Sequence, residues 1–277
     1  MIPDVVPYLR CPVCRESLNT TAAGTGRALR CPRGHSFDVA RQGYADLSAG
    51  RLRHVGDTAA MVAARDTFLA AGHFDAISAA LAAYAPAEGL VVDVGAGSGR
   101  HLAAVLDRAP RAYGLALDVS KPALRRAARA HPRAAAAFGD AWGRLPLADG
   151  AATLLLVVFA PRNGAEFRRI LAADGVLVVV SPAADHLAEL VDRLDLLRVD
   201  PDKDMRLAAA LDPHLARERR EPVRAAAELT RAEVAAVVGM GPSAWHTDPA
   251  ALDERVTGLP EPFRVTVSVR LSVYRPS

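Results

Sequence analysis

The sequence of 277 residues predicts an α/β fold in which a Rossmann-like sheet follows a small metal-binding module. Apolar runs of strand length alternate with helical segments from Leu90 onward, which is typical of a sheet covered by helices. A glycine-rich turn, Gly95–Gly99, directly follows the first of these runs. All three cysteines lie near the start of the chain, within Cys11–Cys31. The sequence therefore predicts two parts, each organised around a different kind of ligand.

Composition limits the classes of protein to which the chain can belong. Hydrophobic residues make up 51% of the sequence and charged residues 23%, which is too apolar for global disorder. No apolar run reaches the roughly 18 residues of a membrane span, and Met1–Leu9 lacks the pattern of a secretory signal. Three clustered cysteines disfavour a disulfide framework and favour a reducing compartment, so we expect a cytoplasmic protein. The net charge of +3 permits an anionic partner without requiring one.

Residues 1–50 carry the pattern Cys11-x2-Cys14-x16-Cys31-x3-His35. Each half is a short turn that can direct two ligands at one ion, and three thiolates with one imidazole form a common structural zinc set. The alternative is three reduced thiols beside an unrelated histidine, which the paired turns disfavour. Because so short a segment cannot bury a large core, we expect the metal to fold it. The rest of the module, residues 36–47, is predicted to form a strand and a turn against the metal site.

A helical bridge is predicted for residues 51–88. Its first part is polar and basic, and Asp57 or Thr58 is placed to cap a helix that continues to Leu69. A glycine ends this helix, and a second helix is predicted over Phe74–Tyr84. The bridge therefore joins the metal module to the first strand of the sheet.

Residues 89–277 are predicted to form the nucleotide-binding domain. A buried strand, Leu90–Val94, leads into the glycine turn, whose backbone amides can face a ligand. A second strand, Tyr113–Leu117, ends at Asp118, about twenty residues after the glycines. A carboxylate at this position can accept both hydroxyls of a ribose. A bound nucleoside is therefore expected at the carboxyl ends of these strands.

The pattern suits NAD as well as S-adenosylmethionine (SAM), and three features favour SAM. The cofactor-binding glycines Gly95, Gly97 and Gly99 form Asp-x-Gly-x-Gly-x-Gly rather than the dinucleotide pattern Gly-x-Gly-x-x-Gly. Asp140 lies in a segment that resembles the adenine-binding loop of SAM enzymes, and the strand Leu154–Phe159 ends where such enzymes place the substrate loop. An ordinary tight turn is the alternative for the glycines alone. We therefore predict a class I SAM-dependent methyltransferase with a seven-stranded mixed sheet.

The rest of this domain continues the alternation of helices and strands. The predicted helices are Lys121–Ala130 (capped by Ser120), Ala165–Leu171 and His186–Leu197, and the predicted strands are Val176–Val180 and Arg264–Tyr274. The last strand alternates apolar and polar residues, as an antiparallel strand at the end of the methyltransferase sheet would.

Arginines form three clusters in the sequence. The first is Arg125, Arg126, Arg129 and Arg133, the second is Arg217, Arg219, Arg220 and Arg224, and the third is Arg27, Arg30, Arg33, Arg41, Arg51 and Arg53. For the first two clusters a solvated helix face is favoured over phosphate contact. The third lies in and just after the metal module and favours a structured RNA, which proteins recognise by shape and phosphate contact.

Motifs over nearly the whole chain resemble those of the RlmA-type large-subunit rRNA guanine-N1-methyltransferases. The segments that carry the likeness are Cys11–Tyr44, Gly56–Asp57, Met61, Ala64–Arg65, Ala71–Phe74, the glycine turn, Leu117–Lys121, Phe159–Pro161 and His186–Leu190. Further stretches resemble the actinobacterial branch, which includes a tylosin-resistance methyltransferase: Val39–Tyr44, Ala127–Arg133, Ala160–Asn163 and Met240–Ser243.

The resemblance implies two cofactors and the residues that hold them. It implies zinc on Cys11, Cys14, Cys31 and His35, and SAM contacts at Phe74, Gly95, Gly97, His101, Leu102, Asp118, Asp140 and His186. Phe74 stands where some relatives have a tyrosine, so a hydroxyl hydrogen bond would be lost while ring stacking could survive. His186 could equally cap a helix.

The resemblance also implies the substrate. This is a guanine, guanine 748, in a hairpin loop of 23S rRNA near the peptide exit tunnel, and its methylation would confer resistance to tylosin-type macrolides. A guanine in a loop is flipped out at a lower cost than one in a duplex. We expect the base to lie beside Phe159, Ala160 and Pro161, with Phe159 or Trp142 as the stacking surface.

Several points stay open at the level of sequence. Asp57 and Asp140 are candidates for the base that removes the N1 proton, although Asp140 is better placed to bind adenine. One alternative function is a small-molecule methyltransferase of a natural-product pathway. Another is a non-catalytic RNA-binding protein that retains a SAM fold. The sequence also leaves a homodimer open.

Overall fold

The computed structural model describes residues 2–23, 26–48, 50, 56–241 and 249–277. A short 3-10 helix, Pro3–Tyr8, precedes strands β1 (Asn19–Ala23), β2 (Gly26–Arg30), β3 (Ser36–Val39) and β4 (Tyr44–Ala45). We call residues 9–48, which contain these strands, the ribbon. Helices α1 (Ala59–Ala70) and α2 (Asp75–Ala82) follow.

The rest of the chain alternates strands and helices as the sequence predicts. Its elements are β5 (Glu88–Val94), α3 (Arg100–Arg108), β6 (Arg111–Asp118), α4 (Lys121–Ala127), β7 (Ala134–Phe138), β8 (Ala152–Val158), α5 (Gly164–Ile170), β9 (Leu171–Pro182), α6 (Ala188–Leu194), α7 (Lys203–Leu211), β10 (Leu215–Leu229), α8 (Arg231–Gly239), α9 (Pro249–Thr257) and β11 (Phe263–Pro276). No helix among the described residues has both the length and the apolar character needed to cross a bilayer.

One sheet runs through the described part of the chain, in the order β1-β2-β3-β4-β7-β6-β5-β8-β9-β11-β10. Strands β5 to β9 pair in parallel, whereas β11 lies antiparallel between β9 and β10. Strands β5 to β11 are therefore the predicted seven-stranded mixed sheet. The described sheet has eleven strands because Tyr44 and Ala45 pair in parallel with Ala136 and Ala137, which adds the ribbon to its edge.

Helices cover both faces of the sheet and bury a separate core on each. One core contains apolar residues of α1 to α4, α6, α8 and α9, with Phe68, Ile77 and Leu106 fully buried. The other contains the 3-10 helix, α5, α7 and residues of the ribbon, with Phe167 and Leu211 fully buried. Both faces of the central strands are thus apolar, which explains their continuous hydrophobic runs.

The ends of two predicted helices have local causes. Thr58, rather than Asp57, caps α1, since its hydroxyl accepts a hydrogen bond from the amide of Met61 at 3.2 Å. Helix α6 is shorter than the predicted His186–Leu197 because Asp195 takes a left-handed φ of 52° and ends it.

The prediction of a helix face for the second arginine cluster is wrong, because Arg217, Arg219, Arg220 and Arg224 lie on the edge strand β10. Each of the four forms an ion pair within 4.0 Å with a carboxylate. Charged side chains on an edge strand oppose pairing with other chains. The edge position and the ion pairs therefore account for the arginines of this cluster without an RNA contact.

Candidate active site and metal centre

The four predicted metal ligands converge at one point in the ribbon. Their ligand atoms, on Cys11, Cys14, Cys31 and His35, all lie within 4.8 Å of one another. The Cys14 and Cys31 sulfurs are 3.6 Å apart, and His35 Nδ1 lies 3.3 Å from the Cys31 sulfur. A tetrahedral zinc ion with bonds of about 2.3 Å to sulfur holds its ligand atoms roughly 3.8 Å apart, so the four side chains fit zinc. Because all four ligands come from the protein, the site is of the structural kind.

Backbone geometry shapes the two turns that carry these ligands. The amide of Arg15 donates to the carbonyl of Cys11 at 2.9 Å, and Arg15 takes a left-handed φ of 69°. In the second turn, the amide of Gly34 donates to the carbonyl of Cys31 at 3.0 Å, with φ of 87° at Gly34. Glycine adopts this conformation without steric cost, which explains its place before His35.

The environment of Cys31 favours the thiolate form that binds a metal. Burial alone raises the pKa of its thiol, but hydrogen bonds from His35 and Cys14 lower the pKa to about 6. A thiolate is the form of cysteine that ligates zinc.

Hydrogen bonds fix the ribbon to the methyltransferase domain. The guanidinium group of Arg15 donates to the carbonyls of Leu145 and Leu147 at 3.3 and 3.0 Å. The amide of Arg10 donates to the carbonyl of Pro146 at 2.9 Å. Together with the pairing of β4 and β7, these bonds place the zinc site at a defined position relative to the sheet.

The glycine turn bends sharply at the carboxyl end of β5. Gly95, Gly97 and Gly99 take φ values of 74°, 56° and 81°. A Cβ on Gly95 would overlap the Cβ of Ala160, and one on Gly99 would lie 3.1 Å from the Cα of Ala127. Only glycine therefore satisfies the backbone conformation and the packing at these positions.

Asp118 holds this turn from the neighbouring strand. Its two carboxylate oxygens accept hydrogen bonds from the amides of Gly97 and Ser120, each at 2.8 Å. Burial raises the pKa of Asp118, although these two amides oppose the shift. Each carboxylate oxygen retains a free lone pair, so the predicted contact with ribose hydroxyls is compatible with this geometry.

Asp93, the acid that opens the glycine pattern, lies in an unusual environment at the end of β5. Its side chain is 1% exposed, and neither carboxylate oxygen has a hydrogen-bond partner among the described residues. Burial, with a smaller contribution from Asp118, raises its pKa to about 7. A buried acid without a partner beside a glycine turn fits a cationic cofactor, and SAM carries both a sulfonium and an ammonium group. The signal was present in the sequence as the acidic residue that opens the pattern.

Three aromatic side chains from separate segments meet near the ends of β8 and β9. The ring centroids of Phe74 and Phe159 are 6.1 Å apart, and the ring of His186 lies 5.8 Å from each. His186 Nδ1 accepts a hydrogen bond from the amide of Ser268 at 3.2 Å, which leaves the ring proton on Nε2. Burial lowers the pKa of His186 to about 4, so the cluster is neutral at pH 7.

The predicted substrate loop begins with a strained residue. Phe159 takes a φ of 54°, which costs a bulky residue about 1–2 kcal/mol, and its side chain is 41% exposed. Ala160 is buried against Gly95, and Pro161 is half-buried. Strain of this kind often marks a functional position, and here it turns an aromatic ring outward beside the glycine turn.

Asp140 and Trp142 lie in a loop that is tied to the substrate loop. The amide of Trp142 donates to Asp140 Oδ1 at 2.9 Å, and the Trp142 side chain is 57% exposed. The amide group of Asn163 donates to the carbonyls of Ala141 and Gly143 at 3.2 and 3.3 Å. Asn163 therefore joins the predicted adenine and substrate loops.

His101 and Leu102 lie at the start of α3 with their side chains in the interior. His101 Nδ1 is 2.9 Å from the Ser78 hydroxyl, and burial lowers its pKa to about 4. Leu102 is fully buried in the core. Contacts from these two residues to SAM would therefore come from the backbone of the first helical turn.

Both candidate catalytic bases are engaged elsewhere. The carboxylate of Asp57 pairs with Arg65, whose guanidinium group also donates to the carbonyl of Met240 at 2.9 Å. Asp140 accepts the amide hydrogen bond from Trp142. The geometry therefore assigns neither carboxylate as the base.

The other two arginine clusters have different environments. In the first, the guanidinium group of Arg133 donates to the carbonyls of Leu106, Ala109 and Ala112 and closes the end of α3, so it is structural. In the third, four arginines are exposed and have no ion-pair partner in the described part of the chain: Arg27, Arg30, Arg33 and Arg41. Arg51 and Arg53 lie outside the described residues.

Comparison with known proteins agrees with both parts of this site. The family model of the RlmA N-terminal zinc ribbon matches residues 9–48. The chain is 50% identical to the 23S rRNA (guanine(748)-N(1))-methyltransferase of Streptomyces fradiae, over 100% of this chain and 99% of the relative. It is 61% identical, over the full length of both chains, to a Micromonospora griseorubida protein that is named as a candidate 23S rRNA (guanine-N(1)-)-methyltransferase.

Solved structures agree on the fold. Bacillus subtilis YcgJ matches with a TM-score of 0.51 and 16% identity, over 74% of this chain and 100% of that one. A chain from the complex of the Haloferax volcanii Trm112 methyltransferase activator with its methyltransferase candidate matches with a TM-score of 0.52 and 19% identity, over 80% and 99%. The ribbon match and the methyltransferase fold confirm zinc and SAM as the predicted cofactors. The full-length identities show that the chain belongs to the family of 23S rRNA (guanine-N1-)-methyltransferases.

Proposed function

We propose that this protein transfers a methyl group from SAM to N1 of a guanine in a hairpin loop of 23S rRNA, at guanine 748. The observation that carries the proposal is the 50% identity, over essentially the whole of both chains, to the Streptomyces fradiae enzyme whose name specifies that nucleotide. The geometry supports it with a glycine turn for SAM, an exposed aromatic ring beside that turn, and arginines on a zinc ribbon.

The reaction is a displacement at the methyl carbon. SAM would supply the methyl group from its sulfonium and leave as S-adenosylhomocysteine, and guanine N1 would bond to the methyl carbon and release its proton to solvent. The protein supports this step by orienting the base in line with the methyl group and excluding water. Phe159 or Trp142 would stack on the flipped base, and Asp93 and Asp118 would hold the cofactor.

In this proposal each part of the chain has a separate role. Residues 1–50 recognise RNA, residues 51–88 form a helical bridge, and residues 89–277 bind SAM and carry out the transfer. The exposed arginines Arg27, Arg30, Arg33 and Arg41 support the first role, because structured RNA is bound largely through phosphate contacts.

The test is methylation of defined RNA. The purified zinc-loaded protein is incubated with tritiated SAM and a transcript of the 23S rRNA hairpin that contains guanine 748, and the modified position is mapped by primer extension. We expect one stop at that guanine, and none with Asp118→Ala, which loses the contact to Gly97. Label on a small metabolite but on no rRNA would favour a natural-product methyltransferase, and SAM binding without any transfer would favour a non-catalytic RNA-binding protein.

Two cellular consequences complete the proposal. The protein acts in the cytoplasm, where the 23S rRNA is found, and its expression in a susceptible bacterium raises the inhibitory concentration of tylosin-type macrolides. The same strain carrying Asp118→Ala is the control. A homodimer stays a prediction, which light scattering of the purified protein tests.

A further inference from the structure

A cavity of about 350 Å³ lies beside the glycine turn, between α1, α3 and α4. Its lining includes Ser98 from the turn, Arg100 from the start of α3, Arg125 and Arg126 from α4, and Arg129 just after the end of α4. None of these residues belongs to the zinc site or to the predicted SAM contacts. Four arginines around one cavity form a strongly cationic environment, so the charge of this surface requires an explanation.

Intramolecular ion pairs account for only half of this positive charge. Arg126 lies 2.9 Å from the carboxylate of Asp66, which also lines the cavity, and Arg100 lies 3.5 Å from the carboxylate of Asp75. Arg125 and Arg129 are exposed and have no carboxylate within 4.0 Å in the described part of the chain. Two positive charges therefore remain at the cavity without a protein partner.

A buried hydroxyl gives an independent indication of a ligand. Ser98 is 6% exposed, and its Oγ has no hydrogen-bond partner among the described residues. A buried polar atom without a partner costs free energy, and such atoms are usually satisfied by water, an ion or a ligand. The cavity also lies at the N-terminus of α3, a helix of nine residues whose N-cap, Gly99, offers no side-chain hydrogen bond. Helix N-termini attract anions through their free amides and the helix dipole.

We propose that this cavity binds a backbone phosphate of the rRNA substrate. A phosphate oxygen would accept hydrogen bonds from the Ser98 hydroxyl and from the unpaired arginines, which satisfies the buried donor and the charge together. Because Ser98 lies in the glycine turn, the bound phosphate would hold the RNA near the predicted cofactor site. This proposal rests on the proposed function, since RNA supplies the phosphate, and it adds a contact separate from the arginines of the ribbon.

The test compares two double variants that each remove two positive charges. Arg125→Gln/Arg129→Gln alters the cavity, whereas Arg108→Gln/Arg193→Gln is the matched control, because both of its arginines are exposed, lie outside the cavity and lack an ion-pair partner among the described residues. Binding of the hairpin transcript is measured by fluorescence anisotropy at several salt concentrations. SAM affinity, measured by calorimetry, reports whether each variant is folded.

We expect the cavity variant to bind the transcript about tenfold more weakly than the control variant, with the slope of log K against log salt reduced by about 1. Ser98→Ala, which removes the hydroxyl but no charge, is expected to lose about threefold in RNA affinity and to keep the wild-type salt slope. Equal RNA affinities and salt slopes for the cavity and control variants would overturn the proposal.

Titration with inorganic phosphate distinguishes RNA from a free phosphate compound as the ligand of the cavity. Methylation of the hairpin distinguishes a failure of the cavity assignment from a failure of the proposed function. Inorganic phosphate alone, titrated by calorimetry, should bind with a dissociation constant in the millimolar range or weaker. Micromolar binding that the cavity variant loses would assign the cavity to a free phosphate compound and refute RNA as the source of the phosphate. If wild-type protein methylates the hairpin while the cavity and control variants behave alike, only the cavity assignment fails. If wild-type protein neither binds nor methylates the hairpin, the proposed function fails with it.

Discussion

Replacement of Asp93 by asparagine is expected to change how the stability of the SAM-free protein depends on pH. The folded environment raises the pKa of Asp93 from 3.8 to about 7, chiefly by burial, and the unfolded chain restores the ordinary value. Between these values the folded state binds more protons than the unfolded state, so stability falls as pH rises from about 4 to about 7. This difference between the folded and the unfolded pKa of Asp93 corresponds to roughly 4 kcal/mol of unfolding free energy.

The amide side chain of the Asp93→Asn variant cannot ionise, so this contribution to the pH dependence should disappear. Urea unfolding at pH 5 and pH 8 gives the difference in unfolding free energy for each protein, and we expect the wild-type loss to exceed that of Asp93→Asn by about 2–4 kcal/mol. Asp174→Asn, at an exposed position, is the control and should follow the wild type. The same pH dependence in wild type and Asp93→Asn would refute the argument that Asp93 is buried without a partner.

The remaining predictions concern the zinc, the glycine turn and the substrate loop. Cys14→Ser should contain no zinc in a colorimetric assay and should no longer bind RNA, whereas its SAM affinity should equal that of the wild type. If SAM affinity is lost as well, the ribbon also supports the sheet. In Gly95→Ala, the new side chain must adopt a φ of 74° and would clash with Ala160. We expect the unfolding free energy to fall by about 2–4 kcal/mol in urea titrations and SAM binding to be lost in calorimetry. Wild-type values in both measurements would contradict the packing argument. Phe159→Ala should reduce kcat/KM for the rRNA hairpin about tenfold or more and leave SAM affinity unchanged. Phe159→Tyr keeps an aromatic ring and should retain activity. Equal activity of the two variants would exclude stacking of the base on this ring.

The features that the sequence predicts best are those fixed by local spacing. The intervals between Cys11, Cys14, Cys31 and His35 determine which side chains can reach one ion, and the structure brings them together. The glycine turn and Asp118 are predicted for the same reason, because each lies at the end of an apolar strand. Local spacing also gives the order of strands and helices over most of the chain.

The features that the sequence does not predict depend on contacts between distant segments. Strand β10 is rich in arginine and glutamate, and this composition favours a polar helix at the level of sequence. It forms a strand because it pairs with β11 along its length. The joining of the ribbon to the sheet depends on Tyr44 and Ala136, which lie far apart in the chain. The lack of a partner for Asp93, and the role of Arg133 at the end of α3, likewise follow from packing that no local pattern encodes.

The most direct test of the central claim is the chemical identity and position of the product. The zinc-loaded protein is incubated with SAM and the 23S rRNA hairpin, the RNA is digested, and mass spectrometry identifies the modified nucleoside and its fragment. We expect N1-methylguanosine at guanine 748 and unmodified guanines elsewhere. Methylation at another atom of guanine, at another nucleotide, or at none would contradict the account.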